Sequence, residues 1–235
     1  MRSTQLVAVL ALVFLALSPA IADRIERSYA TRGPAHLTIS NVYGDITVSS
    51  WDKKTISVRA RTTPPAVVQD RVNGNEIAVW VKRRIIPAGR ATFQVYVPAE
   101  TSLSLTNVIG KVEVSGVAGD LAVDSIDGDI RIMGARASMV DVRVTTGNIF
   151  FEGELRDGGS YSLQSVKGDI DVTVPAATAF DLNARSMSGA INLGDFVRNL
   201  TGGSRLRKGI SGTHLKSGTR LTLTTFSGRV HLHKM

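Results

Sequence analysis

Eight glycines in this chain open the same phrase: glycine, one mostly polar residue, then two apolar residues separated by one other. Gly44 leads to Ile46 and Val48, Gly128 to Ile130 and Ile132, and Gly168 to Ile170 and Val172. Gly110, Gly119, Gly147, Gly189 and Gly228 do the same. Seven and five residues upstream a second apolar pair recurs, such as Leu37 and Ile39, Val140 and Val142, or Leu221 and Leu223. An apolar period of two marks a strand with one buried face. The unit is therefore strand, glycine corner, strand.

The spacing of the units restricts the topology. The steps are nine residues from Gly110 to Gly119 and from Gly119 to Gly128, then 19, 21 and 21 residues to Gly147, Gly168 and Gly189. A repeat of about 20 residues made of two strand-turn halves is the period of a solenoid coil, which buries its apolar face only by stacking on its neighbours. The expected fold is all-β, a β-solenoid or β-helix-like stack of short strands with Gly-Asp corners. A β-sandwich or β-roll of meandering hairpins is the alternative. Gly189 to Gly228 is 39 residues, close to two steps, which implies one obscured corner.

The glycines are read as turn residues, placed where the chain needs a positive φ. Asp or Asn after the glycine suits a turn because its short side chain bonds nearby backbone. Asp45, Asp120, Asp129 and Asp169 share that position with Lys111, Asn148, Ala190 and Arg229. A calcium ligand would not alternate with cations, so these corners are structural.

Three regions follow. Residues 1–22 carry Arg2, an apolar run from Leu6 to Leu17 and Ala20-Ile21-Ala22, the pattern of a secretory signal peptide. Residues 23–100 read as an N-terminal β region or cap, with "TTPPAVVQDRVNGN" as a loop or short helix between strands. Residues 101–235 hold the repeat, interrupted by a glycine-rich basic loop at about 195–217. Export places the protein in the periplasm, on the cell surface or in the medium, and the mature chain has no transmembrane span.

The chain has no cysteine, which excludes disulfides and thiolate metal sites. The net charge of +8, or +7 after loss of Arg2, is compatible with anionic partners: an acidic glycan, lipopolysaccharide or an envelope protein. The densest basic stretch offers Arg198, Arg205, Arg207, Lys208 and Lys216 as candidate anion contacts. No aromatic residue interleaves with them, so nucleic acid is not an expected partner. His231 and His233 alternate on one face of the last strand. With no carboxylate near in sequence they read as the polar face of a terminal strand rather than as metal ligands. Asp124, Asp127 and Asp129 cluster at one corner without an evident catalytic partner, and Lys82, Arg83 and Arg84 read as edge-strand guards. No catalytic motif, phosphate loop or cofactor fingerprint is present, so no enzyme activity and no cofactor are expected.

The S/N-x-x-G-D-I-x-V phrase, the V-P-A-x-T lead-ins at 97–101 and 174–178, and the leader together resemble the bacterial putative-adhesin domain family of unknown function, over roughly residues 35–235. The resemblance implies an exported β-solenoid-like protein with an adhesive or envelope role and no transferable catalytic residues. The expected function is non-enzymatic binding of a cell-envelope or extracellular ligand, through a sheet face or the 195–217 loop. The alternatives are a self-associating structural envelope protein and a carbohydrate-active β-helix enzyme.

Overall fold

A computed structural model describes residues 23–82, 89–206, 208–215 and 218–235. The expected signal peptide, Arg83, Arg84, Arg207 and Lys216 lie outside the described residues. The first part of the chain supplies β1 (Asp23–Ala30), β2 (His36–Tyr43), β3 (Ile46–Trp51), β4 (Thr55–Thr62), β5 (Val67–Asn73), β6 (Glu76–Lys82) and β7 (Ala91–Pro98). The middle supplies β8 (Ser102–Ile109), β9 (Val112–Ser115), β10 (Leu121–Asp127), β11 (Ile130–Ala135), β12 (Met139–Thr146), β13 (Ile149–Gly153), β14 (Ser160–Lys167) and β15 (Ile170–Val174). The last part supplies β16 (Phe180–Ser188), β17 (Ile191–Asn192), a 3-10 helix (Gly194–Asn199), β18 (Leu200–Leu206), β19 (Gly209–His214), β20 (Arg220–Ser227) and β21 (Val230–Lys234).

The two strands flanking a corner glycine do not pair with each other. They enter opposite sheets, which separates a solenoid from a meander of hairpins. One sheet runs β1-β4-β7-β3-β9-β11-β13-β15-β21-β17 and the other β18-β19-β16-β20-β14-β12-β10-β8-β2-β6-β5. Within the stack the strands are parallel and in register: Leu121 lies beside Leu103 on one side and Val140 on the other. The inward residues of both sheets form one core, with Leu37, Ile39, Ile46 and Val48 fully buried. Each such side chain contributes roughly 1.5–3 kcal/mol by leaving water.

Both ends of the stack share one topological device. The chain skips a slot and returns to fill it. At the N-terminal end β6 and β7 enter between the first coil, β2–β3, and the outer strands β5 and β4. At the C-terminal end β20 and β21 enter between β14–β15 and β16–β17. The 39-residue interval therefore hides no corner. It holds a coil's exit, the 3-10 helix and a hairpin, and Gly228 stacks on Gly168 while Gly189 stacks on Gly228.

Two stretches expected as loops are strands. Within 62–75, β5 pairs antiparallel with β6 through a two-residue Gly74-Asn75 turn, and Gly74 has φ 60°. The β-branched "VV" and the Gly-Asn pair favour that hairpin. The described residues of the 195–217 stretch form the 3-10 helix and a hairpin rather than a loop. β18 and β19 pair antiparallel and extend the second sheet beyond β16. His214 is thereby buried between Phe180 and Phe196, at ring distances of 5.2 and 4.9 Å, with its Nδ1 2.9 Å from the Thr178 carbonyl oxygen. That cluster closes one end. At the other, the Tyr29 hydroxyl on β1 donates to Asp70 on β5 at 3.0 Å and ties the two outermost strands together. Burial, and then this bond, push the Tyr29 phenol well above its usual range.

Candidate ligand-binding groove

The corners are built from three in-register columns. The first is glycine. A Cβ on Gly110 would lie 2.2 Å from the Gly44 carbonyl oxygen, and one on Gly168 would lie 1.9 Å from that of Gly147. Gly44, Gly110, Gly128, Gly147 and Gly168 also have φ between 124° and 150°. Gly119 stands apart, at the opposite corner, where its Cβ would meet the Thr101 backbone at 2.4 Å.

The second column lies three residues before each glycine and points inward. Asn107 donates to the carbonyls of Gly44 (3.1 Å) and Gly110 (2.9 Å). Ser165 donates to Gly147, Thr225 to Gly168 and Ser186 to Gly228, each the glycine of the adjacent coil. These buried hydroxyls and amides satisfy carbonyls that the corner withdraws from the sheet ladders. The third column follows the glycine. Asp45, Asp129 and Asp169 accept the backbone N–H of Lys111, Asn148 and Arg229 in the next coil at 2.7–2.9 Å. The carboxylates are occupied by backbone donors from the adjacent coil rather than by their own turn.

The same corner shapes the outer surface of the second sheet. Pairing skips the residue two before each glycine, and that residue projects outward. Ile126, Val166, Phe226 and Met187 are consequently about half exposed, at 48–59%. With Val108 and Thr145 they form one wall of a groove of about 610 Å³. The floor and opposite side come from Thr106, Asp124, Arg143, Gln164 and Thr224, paired strand by strand. The groove crosses β8, β10, β12, β14, β20 and β16, five steps of about 4.8 Å or roughly 24 Å. It joins an apolar wall to a row of hydroxyl, amide and charged groups.

Of the candidate basic residues, Lys208 adjoins one end of this groove through its backbone. The Ser186 amide, beside the lining residue Met187, donates to the Lys208 carbonyl at 3.1 Å, and the Lys208 side chain is exposed in the β18–β19 turn. Arg198 is exposed on the 3-10 helix, and Arg205 lies on β18 opposite Ile210.

Of the acidic corner, Asp124 lines the groove and shares the Arg143 guanidinium, at 3.7 Å, with Asp141. Asp127 is exposed. Lys82 ends β6, whose outer neighbour β5 covers it, so Lys82 is not on an edge strand. β21 is not terminal in its sheet either, because β17 lies outside it. His231 and His233 thus face outward from an interior strand, beside Asp171 of β15, a neighbour that sequence distance concealed.

The family model Toastrack DUF4097 matches residues 35–233. The chain belongs to the Toastrack family. Among solved structures, this Toastrack chain is similar to one described as a putative cell adhesion protein from Clostridium sporogenes ATCC 15579. The TM-score is 0.56 and the identity 10%, over 91% of this chain and 100% of that one. Another, a putative adhesin from Bacteroides fragilis NCTC 9343, has a TM-score of 0.48 and 12% identity, over 92% and 99%. None of the curated proteins matches. Among the described residues, no helix of the Toastrack chain is long and apolar enough to cross a membrane.

Proposed function

We propose that this Toastrack protein is an exported, non-enzymatic binding protein that holds an extended acidic glycan of the cell envelope along the second-sheet groove. The carrying observation is the pairing of an apolar wall with a parallel polar row at one spacing over six strands. A sugar chain has apolar ring faces and hydroxyl edges, and a regular repeat. Lys208 at the groove's end, with Arg198 and the expected contacts Arg205, Arg207 and Lys216, supplies positive charge for an acidic unit.

One feature favours binding over hydrolysis and another favours it over self-association. Glycoside hydrolysis needs two carboxyl groups about 5–10 Å apart flanking the bond. The groove lining carries one carboxylate, Asp124, and it shares the Arg143 guanidinium with Asp141, which is not part of the lining. Self-association through the N-terminal end of the stack is disfavoured by the charged outermost strand β1, with Asp23, Arg24, Glu26 and Arg27.

The test is a glycan and lipid array probed with the protein and with a Val166→Asp variant. Salt-sensitive binding to acidic glycans, lost in the variant, supports the proposal. Binding to lipid alone, or binding unchanged in the variant, overturns it.

A further inference from the structure

We infer that Asp171, His231 and His233 form a surface site for a divalent transition metal of the zinc class. The site lies on the outer face of the first sheet, away from the groove's sheet, and does not depend on the glycan reading.

The geometry follows from register. β15 and β21 are parallel neighbours, with Asp171 beside His231 and Thr173 beside His233. Alternation sends residues 171, 231 and 233 outward while Val172, Val230 and Leu232 are buried. His231 Nδ1 is 3.5 Å and His233 Nε2 3.9 Å from the same oxygen, Asp171 Oδ1. One ligand atom from each residue lies within 4.8 Å of the others. Zinc holds nitrogen and oxygen donors at about 2.0–2.2 Å, which places tetrahedral donors roughly 3.4 Å apart. Rotation of these partly exposed side chains by about 1–1.5 Å closes that difference.

The surroundings favour a cation. The nearest positive groups are engaged: Arg229 is doubly bonded to Asp169, at 2.8 and 3.1 Å. The Lys234 ammonium lies 4.0 Å from Asp195 and 5.4 Å from the Phe196 ring centroid. The side chains of Asp171, His231 and His233 contact one another, and Arg229, although bonded to Asp169, also acts on Asp171 through space. Two imidazoles and one carboxylate select zinc, copper or nickel over calcium and magnesium, which prefer all-oxygen shells. Three protein ligands leave a fourth position open to solvent or to an external donor.

The test is calorimetric titration of tag-free protein with zinc chloride, alongside His231→Gln, His233→Gln and Asp171→Asn. The expected result is one zinc per chain, with affinity reduced more than about tenfold by each substitution, since even outer-shell partners carry that much. His36→Gln, at an exposed site on β2, leaves it unchanged. On the unaltered protein, zinc shifts the imidazole NMR signals of His231 and His233 and spares those of His36 and His214, a readout that needs no variant to fold. Absence of stoichiometric binding, equal affinity in all variants, or shifts at His36 or His214 instead would overturn the site.

Discussion

Arg229 holds Asp169 three times: its amide donates to Oδ1 at 2.7 Å, and its Nη2 and Nε reach Oδ2 at 2.8 and 3.1 Å. The backbone bond first, and then the guanidinium, keep the Asp169 carboxyl below its usual range. A group whose folded pKa is depressed favours folding above its unfolded pKa, and that contribution is lost as pH falls through the lowered folded value. Asp169→Asn keeps an acceptor for the amide, as Asn148 does in the preceding coil. It removes only the charge. The variant is expected to be slightly less stable than the parent at pH 7, with the difference shrinking as pH falls below about 4 and vanishing only below the lowered folded value. Urea midpoints at the two pH values measure it.

Gly168→Ala puts a methyl group 1.9 Å from the Gly147 carbonyl oxygen at φ 150°. The coils are already at strand spacing and cannot separate locally, so the cost is about 3 kcal/mol. Gly74→Ala meets nothing within 4 Å and carries only its φ of 60°, about 1 kcal/mol. Denaturant unfolding of both variants tests whether the glycine column is a packing requirement or merely a turn preference.

Two positions of the inward column make no bond to a glycine carbonyl: among the described residues the buried Ser125 hydroxyl has no partner, and Val144 is apolar, with no side chain donating to the Gly128 carbonyl beneath it. Val144→Thr is expected to be neutral or stabilising by up to about 1 kcal/mol, because its hydroxyl finds that carbonyl. Val142→Thr, one inward position away and fully buried, should cost about 1–3 kcal/mol for an unpartnered hydroxyl. Thermal or chemical denaturation distinguishes the two.

The all-β repeat is legible in the sequence because period-two alternation and a step of about 20 residues are local signals. The order of the coils was not legible. Nothing between Gly189 and Gly228 shows that β20 will return to the slot beside β14, since that depends on long-range pairing. The basic stretch around Arg205 resembled a loop because glycines at 202, 203 and 209 obscure alternation; pairing to β16 settles it as a hairpin. The groove was partly visible. Ile126 and Val166 stand inside the repeated phrases, next to Ser125 and Ser165, in a position that breaks the inward pattern. Their exposure follows from the polar residue beside them turning inward, where Ser165 reaches the Gly147 carbonyl of the adjacent coil, a contact that one coil's sequence does not display. Asp171 and His231 are 60 residues apart, and only the intercalated strand brings them together.

The most direct test of the binding account is the dependence of affinity on ligand length. A series of acidic oligosaccharides of one repeat would be titrated into the protein and into Phe226→Ala, whose exposed side chain on the groove wall leaves stability within about 0.5 kcal/mol of the parent. The account predicts that affinity rises with each added unit and levels off once the chain spans roughly 24 Å, and that Phe226→Ala weakens the long members most. Affinity independent of length, or a series unaffected by Phe226→Ala, would contradict it.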